Sequence, residues 1–416
     1  MSSLLARLVF RILHFVDNIW AQMSVWLYSF LFLFIKFAEF YAPKILLSGF
    51  TFLGDNKELR NMHPPHALYE DPSLGKHRYL KAGGNKYHYI ESGSSKNALL
   101  LCLHDFGDFW YGFRHQLAEL KSNVWVVVPD LKGFGDSDKP SQVNEYRMEV
   151  IVMEILQLIL GLKKEKCYIL ANGLGSYIAW HFVSAFPNMI EGFISIDGPH
   201  PKALCSNISR SWSYLKKYRW LYMYQLPYVP EFELTLMGNT QYNEDDRSSK
   251  DIEAYDFTFS RQSDWIGGLN YYRNFPLHLC HLRYNEERKS TPLPIKVMFI
   301  AGDDRNKVDF ELICRSSEFV DKFTVQIVEN SGQKPHQTHS KRVNAYIKQF
   351  LDISNDNLSN DYNIESSKEL ELNYGAPRLL NSIFNKILDL TFQKDEPKPT
   401  NELSHYNAPP SIPCKF

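Results

Sequence analysis

The sequence predicts an α/β fold, in which a mostly parallel sheet of eight strands carries an inserted helical cap. Between about residues 77 and 351, short apolar runs alternate with segments of helical character. Most of these runs are continuously apolar, which is typical of parallel strands buried on both faces. After Asp197 the alternation stops, and a stretch dense in Tyr, Trp and Pro follows until Ile295. An insertion after one central strand explains that break.

The predicted strands fall into two groups. Two early segments, 78–81 and 87–91, form an antiparallel start. Six apolar runs follow, at 98–103, 124–129, 167–171, 192–197, 295–300 and 323–329. We therefore predict an N-terminal membrane anchor at 1–55, a core in two parts at 77–200 and 290–352, and a helical cap at 201–289. The C-terminal region, 353–416, is predicted to contain a linker, an amphipathic helix and a disordered tail.

Composition excludes several classes of protein. Apolar residues make up 44% of the 416 and charged residues 22%, which excludes a wholly disordered chain and a polytopic membrane protein. The 46 basic and 47 acidic residues nearly cancel, so the chain has no electrostatic footprint for nucleic acid. The six Cys have no tight spacing, and the sequence has no HExxH, CxxC, EF-hand or Walker motif. The sequence therefore indicates no metal site and no cofactor.

The first 55 residues contain a candidate membrane anchor. Residues 18–35 form an uncharged run, which as a helix spans about 27 Å of a hydrocarbon core of about 30 Å. Trp20 and Trp26 suit the membrane interfaces. A cleaved signal peptide or a buried core helix are the alternatives, but no convincing cleavage site precedes Pro43. We predict an uncleaved, single-pass anchor in the endoplasmic reticulum, with an orientation that the flanking charges leave open.

Several segments of the core and the cap carry a family resemblance. The core resembles the α/β-hydrolases and in detail the epoxide hydrolases, especially their membrane-anchored branch, over about 275 residues and in the family's order and spacing. The segments are HDFGDFWYGFRHQ (104–116), PDLKGFGDSDKP (129–140), CYILANGLGSYIAWHFVSAFPNMI (167–190), DGPHP (197–201), YQLPYVPEF (224–232) and GLNYYRN (268–274).

The resemblance implies a two-step reaction. A carboxylate on a tight elbow after a central strand opens the epoxide and forms an ester, and a His oriented by an acid then activates water to cleave that ester. Two tyrosines of the cap donate hydrogen bonds to the epoxide oxygen. Each of these roles requires a particular side chain, so the corresponding positions of this chain can be compared one by one.

All three triad positions are substituted in this sequence. The nucleophile position in the elbow Ala171–Asn–Gly–Leu–Gly175 holds Gly173, which has no side chain to form an ester. The acid position holds Arg305, which would repel an imidazolium. The base position holds Gln333, which cannot act as a general base near neutral pH. The surrounding motifs survive, so the pattern indicates a retained fold with lost chemistry.

Four nearby groups are candidate substitutes. The family's His-Gly-x-Pro loop reads His104–Asp–Phe–Gly107 here, so Asp105 adds a carboxylate where the family has none. Asp197 and Asp304 also follow predicted strands, and His336 lies three residues after the base position. Local loop hydrogen bonding is the alternative role for the carboxylates, and a surface position is the alternative for His336.

A second set of residues is expected to contact a ligand. The backbone donors of Phe106 and Leu174 correspond to the family's oxyanion site, and His104 begins the same loop. In the cap, Trp220 replaces the first tyrosine and Tyr272 keeps the second. An indole N–H is a poorer donor to an alkoxide than a phenol.

Three functional hypotheses remain from the sequence. The first is an inactive, membrane-anchored family member that binds an apolar molecule or lipid, or an unknown protein partner. The second is an active hydrolase of epoxides or esters that uses Asp105, Asp197 and His336. The third is an interaction module whose pocket its own side chains fill. Asn207 and Asn357 begin glycosylation triplets, which matter only if the body faces a lumen.

Overall fold

The structure, a computed structural model, describes most of the chain from the N-terminal helix to the end of the core. The described residues are 2–48, 65–69, 71–237, 248–281, 291–302, 309–332, 334–353 and 370–373. Arg305, Asp304, Gln333, Asn357 and the predicted C-terminal amphipathic helix lie outside them.

The predicted α/β-hydrolase fold is confirmed, with a mostly parallel sheet in the order β1-β2-β4-β3-β5-β6-β7-β8-β9. The eight predicted strands are all present, and a short ninth strand, in the segment predicted as a linker, pairs antiparallel with β8 at the sheet edge. The strands are β1 (Lys76–Ala82), β2 (Asn85–Ser92), β3 (Leu99–Leu103), β4 (Trp125–Pro129), β5 (Cys167–Asn172), β6 (Ile190–Ile196), β7 (Leu293–Gly302), β8 (Val320–Val328) and β9 (Leu370–Asn373).

Helices cover the sheet and fill the insertion between β6 and β7. The first two lie at the N-terminus and are joined by a π-helical turn at Phe37–Tyr41. The helices are α1 (Ser2–Lys36), α2 (Ala42–Ser48), α3 (His66–Tyr69), α4 (Arg114–Leu120), α5 (Met148–Gly161), α6 (Leu174–Ala185), α7 (Pro201–Ile208), α8 (Trp212–Lys217), α9 (Arg219–Met223), α10 (Val229–Met237), α11 (Ser249–Thr258), α12 (Ser263–Arg273), α13 (Phe310–Ser316), α14 (Pro335–Thr338) and α15 (Ser340–Phe350).

The parallel strands bring several loops to one edge of the sheet. Strands β3 and β5 pair Leu103 with Ala171, and β6 and β7 pair Ile196 with Ile300. All five residues of β3 and of β4 are buried, as continuously apolar strands covered on both faces should be. The carboxyl ends of β3, β5, β6 and β7 therefore lie side by side, and ligands bind at this edge in open α/β sheets.

The N-terminal helix packs against the cap along one face. Val25 and Phe32 are buried in an apolar cluster with Leu221 and Tyr222 of α9. The Ser29 hydroxyl donates to the carbonyl oxygen of Tyr222 at 2.7 Å. The helical stretch from Phe15 to Leu46 is long and apolar enough to cross a membrane. Its side chains on the face away from the cap are largely exposed. The alternative of a buried core helix therefore fits only the face that packs on the cap.

Asn207 is not available for glycosylation in the folded chain. It lies in α7 and is fully buried, with no hydrogen-bond partner for either side-chain polar atom among the described residues. A glycan needs an exposed surface position. The triplet at Asn207 is therefore a chance occurrence.

A buried ion pair ties the loop after β4 to the core and the cap. The Lys132 ammonium lies 2.8 Å from the Glu154 carboxylate, and both side chains are almost fully buried. Tyr87 donates to the same carboxylate at 2.7 Å. The carbonyl oxygen of Lys132 accepts from the Tyr271 hydroxyl of α12 at 3.0 Å.

Glu154→Gln removes the charge that Lys132 needs, and we expect it to lower the free energy of unfolding by about 3–5 kcal/mol. Glu91→Gln is the matched control, because Glu91 pairs at 3.0 Å with the exposed Arg78, and surface pairs contribute only about 0–1 kcal/mol. Urea unfolding of the full chain in detergent measures both. Equal losses in the two variants would contradict a structural role for the buried pair.

Candidate active site

The elbow between β5 and α6 lacks a side chain at its apex. Gly173 has φ 49° and ψ −111°, a conformation that favours glycine. At Gly175, an added Cβ would collide with the carbonyl oxygen of Leu103 on the neighbouring strand. The structure thus has a tight turn between strand and helix at the predicted nucleophile position, and a glycine occupies its apex.

Asp105 fills the space that Gly173 leaves open. The three atoms of its carboxyl group all lie within 2.5 Å of the position that a Cβ on Gly173 would occupy. Any larger residue at position 173 would collide with this carboxylate. The elbow glycine and the loop aspartate are therefore two parts of one arrangement.

The Asp105 carboxylate takes both backbone donors that the sequence analysis assigned to the oxyanion site. Its Oδ1 accepts from the backbone N–H of Phe106 and from that of Leu174, each at 2.7 Å. Hydrogen bonds to an ionised acceptor are short and strong, because donor and charge reinforce each other. In this structure the two donors predicted for the oxyanion site hold the chain's own carboxylate.

His104 supports this loop from below. Its Nδ1 donates to the carbonyl oxygen of Asp105 at 2.8 Å, and its Nε2 accepts from the Leu131 backbone N–H at 2.9 Å. The ring is fully buried, and burial lowers its pKa even though Asp130 and Asp108 lie nearby. The neutral imidazole thus holds the loop backbone, and the ligand contact predicted for His104 stays a prediction.

Asp197 lies on the loop after β6 and is electrostatically coupled to Asp105. Its φ of 52° places it in the left-handed region, and its backbone N–H donates to Ile300 at 3.0 Å. Burial first, and the charge of Asp105 in addition, raise its carboxyl pKa well above the usual range, against a hydrogen bond from Gly302. Its Oδ2 is buried without a partner among the described residues. Asp197 therefore tends to keep its proton.

His336 belongs to a different cluster and is not the surface histidine that the sequence allowed. It is fully buried against Phe113, at 5.0 Å between ring centroids, with neither ring nitrogen hydrogen-bonded to a described residue. Burial lowers its pKa to about 3, and the charges that act on it come from Asp108, Lys334, Arg114 and His115. The charge of Asp105 thus acts on Asp197, whereas the charges that act on His336 come from other groups.

Asp108 is an anion that the sequence analysis missed. Its Oδ2 lies 3.1 Å from the Lys334 ammonium and accepts from Gln337 at 2.9 Å, while Tyr255 of the cap donates to its Oδ1 at 2.7 Å. Burial would raise its pKa, but Lys334 and the hydrogen bonds lower it to about 2. This ionised group links the loop after β3 to the cap and to α14.

Aromatic rings of the cap stand over the loop that carries Asp105. The Phe106 ring contacts Tyr272 at 5.3 Å, Tyr224 at 5.4 Å and Trp265 at 5.7 Å between centroids. Trp220 contacts Tyr272 at 5.2 Å and remains 37% exposed. Burial, and to a smaller degree the Asp105 charge, hold the pKa of Tyr272 well above its usual value, so its hydroxyl keeps its proton.

Sequence reasoning treated Gly173 and Asp105 as separate departures from the family pattern. The resemblance nevertheless contains a signal that links them, because it implies Gly at position 105 and Asp at position 173, the reverse of this sequence. Within the described ranges, no group of three or more His, Cys, Asp or Glu side chains is placed to hold a metal ion.

We expect Gly173→Asp to destabilise the chain and Asp105→Gly to restore much of the loss when the two are combined. Gly84→Asp is the control, since Gly84 has φ +87° but no atom within 4 Å of an added Cβ, so it reports backbone strain alone at roughly 1–2 kcal/mol. Urea unfolding gives the three free energies. A loss in Gly173→Asp no larger than in Gly84→Asp, without recovery in the double variant, would contradict the collision.

The comparisons with known proteins agree with the fold. Residues 98–238 match the family model described as alpha/beta hydrolase fold. Epoxide hydrolase 4 of Mus musculus is 34% identical over 303 residues, which cover 69% of this chain and 82% of the mouse protein. Epoxide hydrolase 3 of Xenopus tropicalis is 29% identical over 297 residues, covering 67% and 78%. A variant epoxide hydrolase of Bacillus megaterium with its product superposes at a TM-score of 0.59 and 25% identity, covering 66% of this chain and 100% of the bacterial one. This chain belongs to the epoxide hydrolase family of the α/β-hydrolases.

Proposed function

We propose that this chain is a family member that does not turn over epoxides and instead binds an apolar molecule beneath its cap. One observation carries the proposal: the Asp105 carboxylate lies over the bare elbow at Gly173 and takes both oxyanion donors. A family reaction at this elbow would need a side chain where Asp105 now lies.

The second step of the family reaction also lacks its groups. The sequence has Gln333 at the base position and Arg305 at the acid position. A glutamine accepts no proton near neutral pH. His336, the substitute considered from the sequence, is a weak base whose pKa is lowered by burial to about 3. Loss of a single triad member typically costs several powers of ten in rate, so hydrolysis through Asp105, Asp197 and His336 is the less favoured function.

The rings around Asp105 support an apolar ligand. Phe106, Tyr224, Tyr272 and Trp220 form a wall with few polar atoms, which is the usual lining of a small-molecule site. The related Bacillus megaterium enzyme is described with a naphthyloxy-propane-1,2-diol product, an aromatic and largely apolar molecule. A lipid or a small aromatic compound is therefore the proposed ligand, and a protein partner remains the other predicted binder.

We expect the full chain to show no diol formation from styrene oxide above the uncatalysed rate. The combined variant Asp105→Gly, Gly173→Asp, Arg305→Asp and Gln333→His should gain turnover by several powers of ten, since it restores the family's three groups and clears the elbow. The same variant with Asp105 retained is the control and should stay inactive. Diol formation by the unsubstituted chain would contradict the proposal.

The N-terminal helix supports a second part of the proposal, attachment to a membrane. Its face opposite the cap carries large exposed apolar side chains, and residues 18–35 contain no charge. These exposed side chains include Val16, Trp20, Met23, Leu27, Phe30 and Phe34. This stripe exposes a larger apolar area than the surface of a soluble protein usually does. The boundary between headgroups and acyl chains of a bilayer would cover such a surface.

The contacts of the cap favour a helix that lies along the membrane. Lys36 pairs with Glu233 of α10, and Trp212 of α8 stacks on Phe32 at 5.9 Å while more than half exposed. A spanning helix that kept these contacts would carry a charged part of the cap into hydrocarbon, which is costly. We therefore propose immersion of the outward face of α1 in one leaflet, in place of a single pass. The assignment to the endoplasmic reticulum stays a prediction.

Nitroxide labels on Val16→Cys, Met23→Cys and Phe34→Cys test this orientation in phosphatidylcholine vesicles. We expect the three labels to report similar depths, since all three point away from the cap. A spanning helix would separate the first and last by about 27 Å along its axis. The unsubstituted chain, treated with the same label, gives the background signal. A label on Leu160→Cys in α5 should report exposure to water. Depths that change steadily along α1, or no immersion at all, would contradict the proposal.

A further inference from the structure

We propose that Cys205 and Cys280 form a redox-active dithiol, which exchanges with a small disulfide such as glutathione disulfide and then closes the base of the cap as a disulfide bond. The two residues lie near opposite ends of the predicted cap, 201–289. Cys205 belongs to α7, and Cys280 belongs to the 3-10 turn Leu277–His281. Both are free thiols in this structure. The inference goes beyond the proposed function and does not depend on a ligand beneath the cap.

The two ends of the cap meet at these residues. The Ser209 hydroxyl, at the C-terminal end of α7, donates to the carbonyl oxygen of Cys280. Ser209 follows Cys205 by four residues, so the two side chains share one face of the helix. Cys280 and Ile208 belong to one buried apolar cluster, and Cys205 packs against it. The face of α7 that meets the turn therefore carries Cys205.

The thiols of this pair differ in access and in acidity. They are hydrogen-bonded to each other, and this bond lowers the pKa of Cys205 against the effect of burial. The same bond, together with burial, raises the pKa of Cys280. Cys205 is partly exposed, whereas Cys280 is buried. Because the thiolate is the nucleophile and needs access to an external disulfide, Cys205 is the attacking residue and Cys280 the resolving one.

The proposed exchange balances in atoms and electrons. The Cys205 thiolate attacks one sulfur of glutathione disulfide and forms a mixed disulfide. The first glutathione leaves as a thiolate and takes the proton that Cys205 has lost. Cys280 then attacks the Cys205 sulfur and expels the second glutathione, which takes the Cys280 proton. The dithiol loses two electrons in total, and one glutathione disulfide is reduced to two molecules of glutathione.

The bond would stabilise the base of the cap. It would close a loop of about 75 residues, and a cross-link over a long loop removes conformational freedom from the unfolded chain. The base also borders the N-terminal helix, since His281 stacks on Tyr28 at 5.5 Å and its Nε2 lies 2.8 Å from the Tyr222 hydroxyl. Oxidation of Cys280 would thus fix the part of the cap on which α1 packs.

The test incubates the full chain in detergent with glutathione buffers of increasing disulfide fraction. After acid quenching and unfolding, iodoacetamide blocks the remaining thiols. We expect non-reducing peptide mapping to find Cys205 linked to Cys280, and the urea midpoint of the linked form to be higher than that of the reduced form.

Three variants assign the roles of the two thiols. Cys205→Ser and Cys280→Ser should each abolish the link. Cys280→Ser should in addition retain one glutathione on Cys205, because the resolving thiol is missing. Cys314→Ser removes another partly exposed thiol, and as the matched control it should leave the link unchanged.

Several outcomes would overturn the inference. Full alkylation of Cys205 and Cys280 in the most oxidising buffer would show that no bond forms between them. A link from Cys205 to any other cysteine would contradict the pairing. Glutathione retained by Cys280 in Cys205→Ser would contradict the order of attack, and an unchanged urea midpoint would contradict the stabilisation of the cap. None of these measurements involves epoxide turnover, so a failure here leaves the proposed function standing.

Discussion

The backbone N–H groups of Phe106 and Leu174 converge on one point, and a single carboxylate oxygen of Asp105 satisfies both at 2.7 Å. Two such donors aimed at one place form a site for negative charge, which must be filled by a ligand, by water or by the chain itself. Here the chain fills it, and this is sterically feasible only because Gly173 has no side chain. The glycine elbow, the aspartate in the preceding loop and the chemistry left to the site all depend on that one interaction.

The rest of the fold holds this interaction in place. Parallel pairing of β3 with β5 sets the two loops side by side, and His104 fixes the loop after β3 from beneath by bonding to Asp105 and Leu131. Burial keeps that histidine neutral, which is the state in which one ring nitrogen donates and the other accepts. The positions of both donors are therefore fixed before any ligand arrives.

The cap and the N-terminal helix form a continuous apolar assembly above the site. Tyr222 faces Phe32 of the helix at 5.6 Å, while Tyr272, four residues after Gly268 in the cap, faces Phe106 of the core at 5.3 Å. The proposed membrane surface and the proposed ligand site are thus parts of one helical layer. An apolar ligand dissolved in a bilayer would meet this layer first.

The sequence alone determined the fold class and all eight long strands, because apolar runs and tight-turn motifs are local signals. The loss of the family's side chains at the triad positions stays a prediction from the resemblance. It also identified Asp105 and Asp197 as candidate carboxylates. It could not decide that Asp105 reaches across to Gly173, that His336 is buried beside Phe113, or that one face of the predicted anchor packs on the cap. Those facts depend on contacts between residues far apart in the chain. Only the tertiary structure sets such distances, since packing and not local pattern determines which loops and faces meet.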